Sequence, residues 1–462
     1  MRRTAALAVS TVLAATAATA VFTGTLASAN APVSERAAAP AAKAEPAAEG
    51  PAAKGAAENP RDVMFVGNNW DGTADVVDAR THAKIKRINV IPDEDERMAE
   101  IATSPDKLAF FLAVQQGIGE GHNQYVDDMF STHDGTLVAV SRPSFADVVG
   151  IDLRTEEIVW RFPMEGYRSD HMGVSPDGTR LLVSDSTARK VHELDLRTGE
   201  KLREFASGDT PHENNYTQDG GRIFHASIGR VYTPTDREEL GTVRDTSKGD
   251  RFFQIVDNET FGIDQRWDMG KELEEAGYPG MSSAVRPMAV APDERYVYLQ
   301  VSFLHGFVEF DTEAVDEYAD YEGDPRVGKV TRVVNLPISE EAASTPREQY
   351  VLDSAHHGLA MNEAGTKLCV AGTMSDYAAI VERASGRHTV LKGTEHAPYT
   401  KPYWSTNGAD NTCWVSMSGS DLVAVIDYET ERPVATIPVG DHPQRVREGF
   451  VSERVVRAWN SR

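Results

Sequence analysis

An all-β fold, a seven-bladed β-propeller closed by a C-terminal strand that joins the N-terminal blade, is what this sequence predicts. Three observations carry the prediction. A four-strand layout recurs at roughly 40–45 residues, the spacing of propeller blades. Its strands alternate with a period of two. The chain ends hold incomplete units that complement each other.

Each unit starts with a small or polar stretch and a first strand, then a turn of the D-G kind, a second strand, a third strand of the form V-x-x-[IL]-D, and a fourth. The clearest copies are HMGVSPDGTRLLVSDSTARKVHELDLRTGEKLREF from His171 and CWVSMSGSDLVAVIDYETERPVATIPVGDHPQRV from Cys413. D-G and T-G between strands supply hairpin turn chemistry. Strands in VAVID and VATIPV alternate as strands with a buried face do.

First strands open after Tyr125, His171, His212, Arg286, His357 and Pro402, and another begins near Gln444 without the rest of its blade. The start of the chain supplies that rest: DVMFVGNN, TADVVDA and KIKRINV, within 62–90, are second, third and fourth strands with no first. QRVREGFV completes them, which removes the open sheet edges the array would otherwise expose. We number the composite blade 1 and continue around the ring to blade 7 at Pro402.

Three inserts interrupt the period. Residues 93–121 have helical spacing, with Ser104-Pro105-Asp106 as a helix start; TSPDKLAFFLAV also reads as an extra strand pair. Blade 4 contains a polar excursion at 233–251 and blade 5 an acidic one at 313–328.

VAVIDYETERPVATIPVGDHPQRV, together with SPDG, resembles the repeat of YVTN-type (YncE-like) seven-bladed propellers. The resemblance covers most of residues 62–450, most strongly in blades 3 and 7. It implies a secreted or surface propeller and brings no catalytic residues with it, since one fold hosts many functions.

Residues 1–29 read as a secretory signal: Arg2 and Arg3, a small-residue apolar run, and the cleavage site Ala27-Ser28-Ala29. Residues 30–59 are almost wholly Ala, Pro, Glu, Lys and Gly, a flexible linker. A single propeller domain, 60–462, follows. The formal charge of −24 becomes two units more negative when Arg2 and Arg3 leave with the signal. Such a surface repels phosphate backbones and argues against nucleic-acid binding. The expected product is an extracellular monomer, free or cell-wall associated, with no integral membrane span. Cys369 and Cys413 lie one register position apart in the second strands of blades 6 and 7, hence on opposite faces. Blades pack face to face, so the two cysteines are either an inter-blade disulfide or two buried thiols. Trp160, Trp267 and Trp404 read as inter-blade packing.

Nine of the thirteen histidines gather on one rim of the propeller. His122, His171, His212, His356, His357, His396 and His442 fall where first strands begin, and His225 and His305 where second strands end. His212 and His357 each precede a turn glycine, Gly220 and Gly365, by eight residues; His171 precedes Gly178 by seven. These side chains converge if the channel mouth is narrow. His171, His212 and His357, with His122, are the expected ligands of a transition metal (Cu, Fe or Zn), because imidazole offers a neutral nitrogen donor near neutral pH. Carotenoid-cleaving oxygenases place histidines on a propeller axis to hold iron; the similarity is in that arrangement alone. Adjacent strand residues face opposite ways, so His357 is the ligand of its pair and His356 packs or supports. Asp170 is placed to orient His171. Glu213, His225 and Arg286 are the catalytic candidates: Glu213 and His225 for proton transfer or the ligand shell, Arg286 to clamp an anionic group. No nucleophile elbow, haem-attachment or phosphate-loop motif occurs.

A metal-dependent oxidoreductase or lyase acting on a small molecule is the leading function. A non-catalytic propeller binding a cell-wall component, and a metal-free lyase or lactonase, are the alternatives, and polar rims also hold histidines for purely structural reasons.

Overall fold

A computed structural model describes residues 59–231, 240, 242–278, 285–316, 326–350 and 354–462. The expected signal and all of the linker but Asn59 lie outside these residues, as do parts of the excursions at 233–251 and 313–328.

Seven four-stranded antiparallel sheets form the blades of a propeller. Blade 1 is built from both ends of the chain, in the order Lys84–Asn89, Thr73–Asp78, Arg61–Asn68, Pro443–Val451. The last strand pairs Gly449 with Val63 and Arg447 with Phe65. The innermost strands of the others begin at Asp128, Ser169, Pro211, Val285, Leu359 and Pro402. Each innermost strand touches the next around the ring, and the strand of blade 7 touches Pro443–Val451.

The period-two pattern has a specific meaning here. Val423 and Val425 of blade 7 pack with Met64, Val66 and Val446 of blade 1, while Ala424 and Ile426 pack with Cys369 and Ile380 of blade 6. Alternate residues therefore serve the two neighbouring blades, and both faces of the middle strands are buried. Seven hydrophobic clusters fill the seven interfaces. A disulfide joins Cys369 to Cys413 across the blade 6–blade 7 interface. Trp404, expected as inter-blade packing, does pack between blades 7 and 1 and also faces the channel.

Turns follow from local polar chemistry. In SPDGTR, Asp177 accepts hydrogen bonds from the Ser175 hydroxyl (2.6 Å) and the Thr179 amide (3.0 Å), and Gly178 takes φ +69°, open to glycine at little cost. Residues 93–121 contain two helices, Glu94–Ala102 and Pro105–Gln116, between blades 1 and 2. Ser104 holds the N-cap position with Pro105 following, but its hydroxyl goes to Asp106 (2.6 Å). No described helix is long and apolar enough to cross a membrane.

The feature that shapes the channel mouth is a bulge at the start of the innermost strands. In blade 3, Ser169 faces Asp185 and Met172 faces Val183, so Asp170 and His171 together oppose Ser184. The same two-against-one arrangement places His212 and Glu213 in blade 4, Arg286 and Pro287 in blade 5, Tyr403 and Trp404 in blade 7, and Gln444 and Arg445 in blade 1. In blade 6, Ala371 hydrogen-bonds to both His357 and Gly358. In blade 2, Ser141 pairs with Asp128 while accepting from the Asp127 amide. A bulge breaks strict alternation, so consecutive side chains face the same space.

Candidate functional site

His171 stands at the centre of a buried polar cluster on the channel axis and is 0 % exposed. Its Nδ1 lies 2.7 Å from Glu213 Oε2, delivered by the bulge of the next blade. The His212 ring packs on it at 3.6 Å between centroids, and Trp404 presents an edge at 5.5 Å. Burial, then the charge of Arg445 and the neighbouring His212 and His357, hold its pKa well below 6.5, so the ring is neutral. With Glu213 ionised, Nδ1 carries the proton and the Nε2 lone pair faces the channel. Burial pushes the Glu213 carboxyl up to about 7.

Around Nε2 stand Asp170 Oδ1 at 3.8 Å and Asp127 Oδ2 at 3.9 Å. Asp170 is held from behind: Oδ2 accepts from Arg168 (2.5 Å) and from the Ser186 hydroxyl (2.8 Å). Its Oδ1 has no hydrogen-bond partner among the described residues, although the residue is only 1 % exposed. One oxygen is fixed and the other is presented. Ligand atoms of Asp170, His171 and His212 all lie within 4.8 Å of one another, a buried triad able to bind a metal ion.

Two arginines of the C-terminal strand close the cluster. Arg447 forms a bidentate pair with Asp128 (2.7 Å on both arms), whose Oδ2 also accepts from the Met172 amide at 3.0 Å. Arg445 contacts His171 Nε2 through Nη2, reaches Asp127 Oδ1 at 3.4 Å, and lies over the Trp404 ring at 4.3 Å. Burial pushes Asp127 up to about 7, against the opposing pull of Arg445.

The expected site residues fall in different places. His171, His212 and Glu213 come together. His357 stands farther off, its ring 6.4 Å from His171 and 6.1 Å from His212, stacked on Tyr403 at 4.1 Å. His356 turns the other way, with Nε2 3.0 Å from the Tyr377 hydroxyl. His225 lies behind the cluster, Nδ1 against Glu213 O (3.0 Å) and Asn214 Oδ1 (2.9 Å), Nε2 against the Ser207 hydroxyl (2.7 Å). Burial lowers its pKa to about 3. His122 is exposed and stacks on Trp70, which His442 covers from the other side. Arg286 lies in the innermost strand of blade 5, and its side chain is outside the described residues.

Asp170 and Glu213 hold each other's expected places: Glu213 orients His171 and Asp170 stands with the potential ligands. Arg445, Arg447 and Tyr403 were not singled out as site residues from the sequence. The signal was present in the register, since Arg445 follows Gln444 at a strand start equivalent to that of His171.

The fold and its centre define a class: a seven-bladed β-propeller with a buried His/Asp triad at the channel mouth. No protein-family model matches the chain, and no curated protein matches it. Many solved structures match it. One of them, described as Kuenenia stuttgartiensis Hydrazine Synthase, is 13% identical over 69% of this chain and 88% of its own, with a TM-score of 0.47. A likeness of that degree bears on neither chemistry nor family.

Proposed function

We propose that the protein is a secreted metalloenzyme, an oxidoreductase or lyase of a small molecule, with its metal at Asp170, His171 and His212. The observation that carries the reading is the bare, buried Oδ1 of Asp170 beside the His171 lone pair, since a buried carboxylate oxygen without a donor is costly unless something binds it. Two imidazoles and one carboxylate, with further positions open, are the donor set of non-haem Fe(II) sites and also suit Cu or Zn. A bound ion would supply Lewis acidity or redox chemistry. The chain's own residues do the rest: Glu213 fixes the His171 tautomer, Arg168 and Ser186 aim Asp170, and Trp404 and Tyr403 wall off water. The Cys369–Cys413 disulfide supports export to an oxidising compartment.

Metal analysis of untagged full-length protein tests the reading. Roughly one ion per chain is expected, lost in Asp170→Asn, His171→Ala and His212→Ala variants that still fold. Wild-type protein that carries no metal and takes up none of Fe²⁺, Cu²⁺ or Zn²⁺ overturns it.

A further inference from the structure

The cluster holds bare donors as well as a bare acceptor. Arg445 is 1 % exposed, yet its Nε and Nη1 have no hydrogen-bond partner among the described residues. Two other arginines each grip a carboxylate on two arms: half-buried Arg447 holds Asp128, and buried Arg142 holds Asp147 at 2.8 Å. Among the described residues, the polar contacts of Arg445 are a long 3.4 Å one to Asp127 and its Nη2 contact to His171 Nε2. Its guanidinium carbon lies 4.3 Å from the Trp404 ring centroid, a cation–π contact that helps to hold it in place.

The His171 lone pair cannot serve both a metal and Arg445. An ion held by Asp170, His171 and His212 would displace Arg445 Nη2 from His171 and leave the guanidinium beside the site, with Asp127 at 3.4 Å. A planar fork of N–H donors matches a carboxylate. Resting on the metal-site reading above, we propose that Arg445 binds the carboxylate of a small anionic substrate and holds it against the metal. Arg445 is then the residue that selects for an acid over its neutral amide or ester.

The test uses full-length protein loaded with Co²⁺, whose visible absorption reports its ligands. Acetate and formate are titrated at constant ionic strength, with acetamide as the neutral control. Wild-type protein is expected to give a saturable spectral change with both anions in the millimolar range and none with acetamide. Arg445→Met should bind Co²⁺ at the same stoichiometry and lose affinity for acetate by on the order of tenfold or more, with Arg445→Lys between the two. Should Arg445→Met fail to fold, the wild-type titration and the lysine variant carry the test. No response to acetate in the wild type, or equal affinity in the variants, overturns the assignment while leaving the metal site intact. A wild-type chain that takes up no Co²⁺ overturns the metal reading and this inference with it.

Discussion

Glu213 and His442 show how two buried side chains place chemistry in this protein. Glu213 holds the far nitrogen of His171 at 2.7 Å, and a carboxylate behind a ligating imidazole fixes its orientation and raises its basicity. Glu213→Gln keeps the shape and removes the charge. Metal affinity should fall about 10–100-fold while stoichiometry at saturation is kept; equal affinity by competition titration would remove Glu213 from the site. His442 is buried against Trp70, and burial, then Lys401 and His122, lowers its pKa to about 3. Unfolded, it takes a proton near pH 6.5. As pH falls through 6.5 the unfolded chain gains a proton that the folded chain refuses, so this contribution to stability is complete above 6.5 and is lost on the way toward 3. Between pH 7.5 and 5 it amounts to about 2 kcal/mol. His442→Asn suits the φ of +55° at this position and removes the titration. Urea unfolding in chelator should show the wild type losing about 2 kcal/mol more than the variant over that range; equal losses would mean that His442 titrates normally.

The bulged innermost strand is the element that turns a repeat into a site. Blade 6 packs so closely on blade 7 there that a Cβ on Gly358 would lie 2.3 Å from Ser405 N and 2.5 Å from the Trp404 carbonyl carbon. Gly358→Ala should destabilise the fold by about 1–3 kcal/mol through overpacking and disturb Trp404. Gly262→Ala, where the nearest contact is Thr260 Oγ1 at 3.3 Å, serves as the control in thermal melts. If Gly358→Ala melts no lower than the control, the inner ring is looser than its contacts indicate. This element also marks the limit of what the sequence discloses. Hairpins are local, so the D-G and T-G turns and the V-x-x-[IL]-D strands make the blades and their closure readable. A bulge is a hydrogen-bonding event between strands with no residue signature. Strict alternation therefore hid the fact that Tyr403 and Trp404, or His212 and Glu213, face the same space. The same bulge brings Arg445, beside Gln444, to the position that His171 holds in blade 3. The run LAFFLAV is apolar on every side, so its spacing alone left helix and strand open.

At the scale of the molecule, the C-terminal strand is a structural seam and a wall of the site at once. Pro443–Val451 supplies Val446 to the blade 7–blade 1 interface and Val451 to the blade 1–blade 2 interface. The following helix, Glu453–Asn460, seats Trp459 in the latter cluster, with Nε1 donating to Leu153 O at 2.8 Å. The same strand brings Arg447 to Asp128 and Arg445 to Asp127, both carboxylates buried. The disulfide lies elsewhere, between blades 6 and 7, and does nothing to close the ring. Replacing both cysteines by alanine should lower stability by about 2–4 kcal/mol and leave the site's metal uptake unchanged. Ending the chain before Pro443 should be far more damaging. It uncovers the edge of Arg61–Asn68, removes apolar surface from two interfaces, and leaves Asp127 and Asp128 without their arginines, a loss of about 3–5 kcal/mol for the tightly paired Asp128 alone. The truncated chain is expected to be insoluble, and co-expression of residues 440–462 as a separate peptide should restore soluble protein with the proposed metal uptake. A truncated chain that stays monomeric, unfolds cooperatively and binds metal as the full chain does would show that six complete blades hold the ring without the seam.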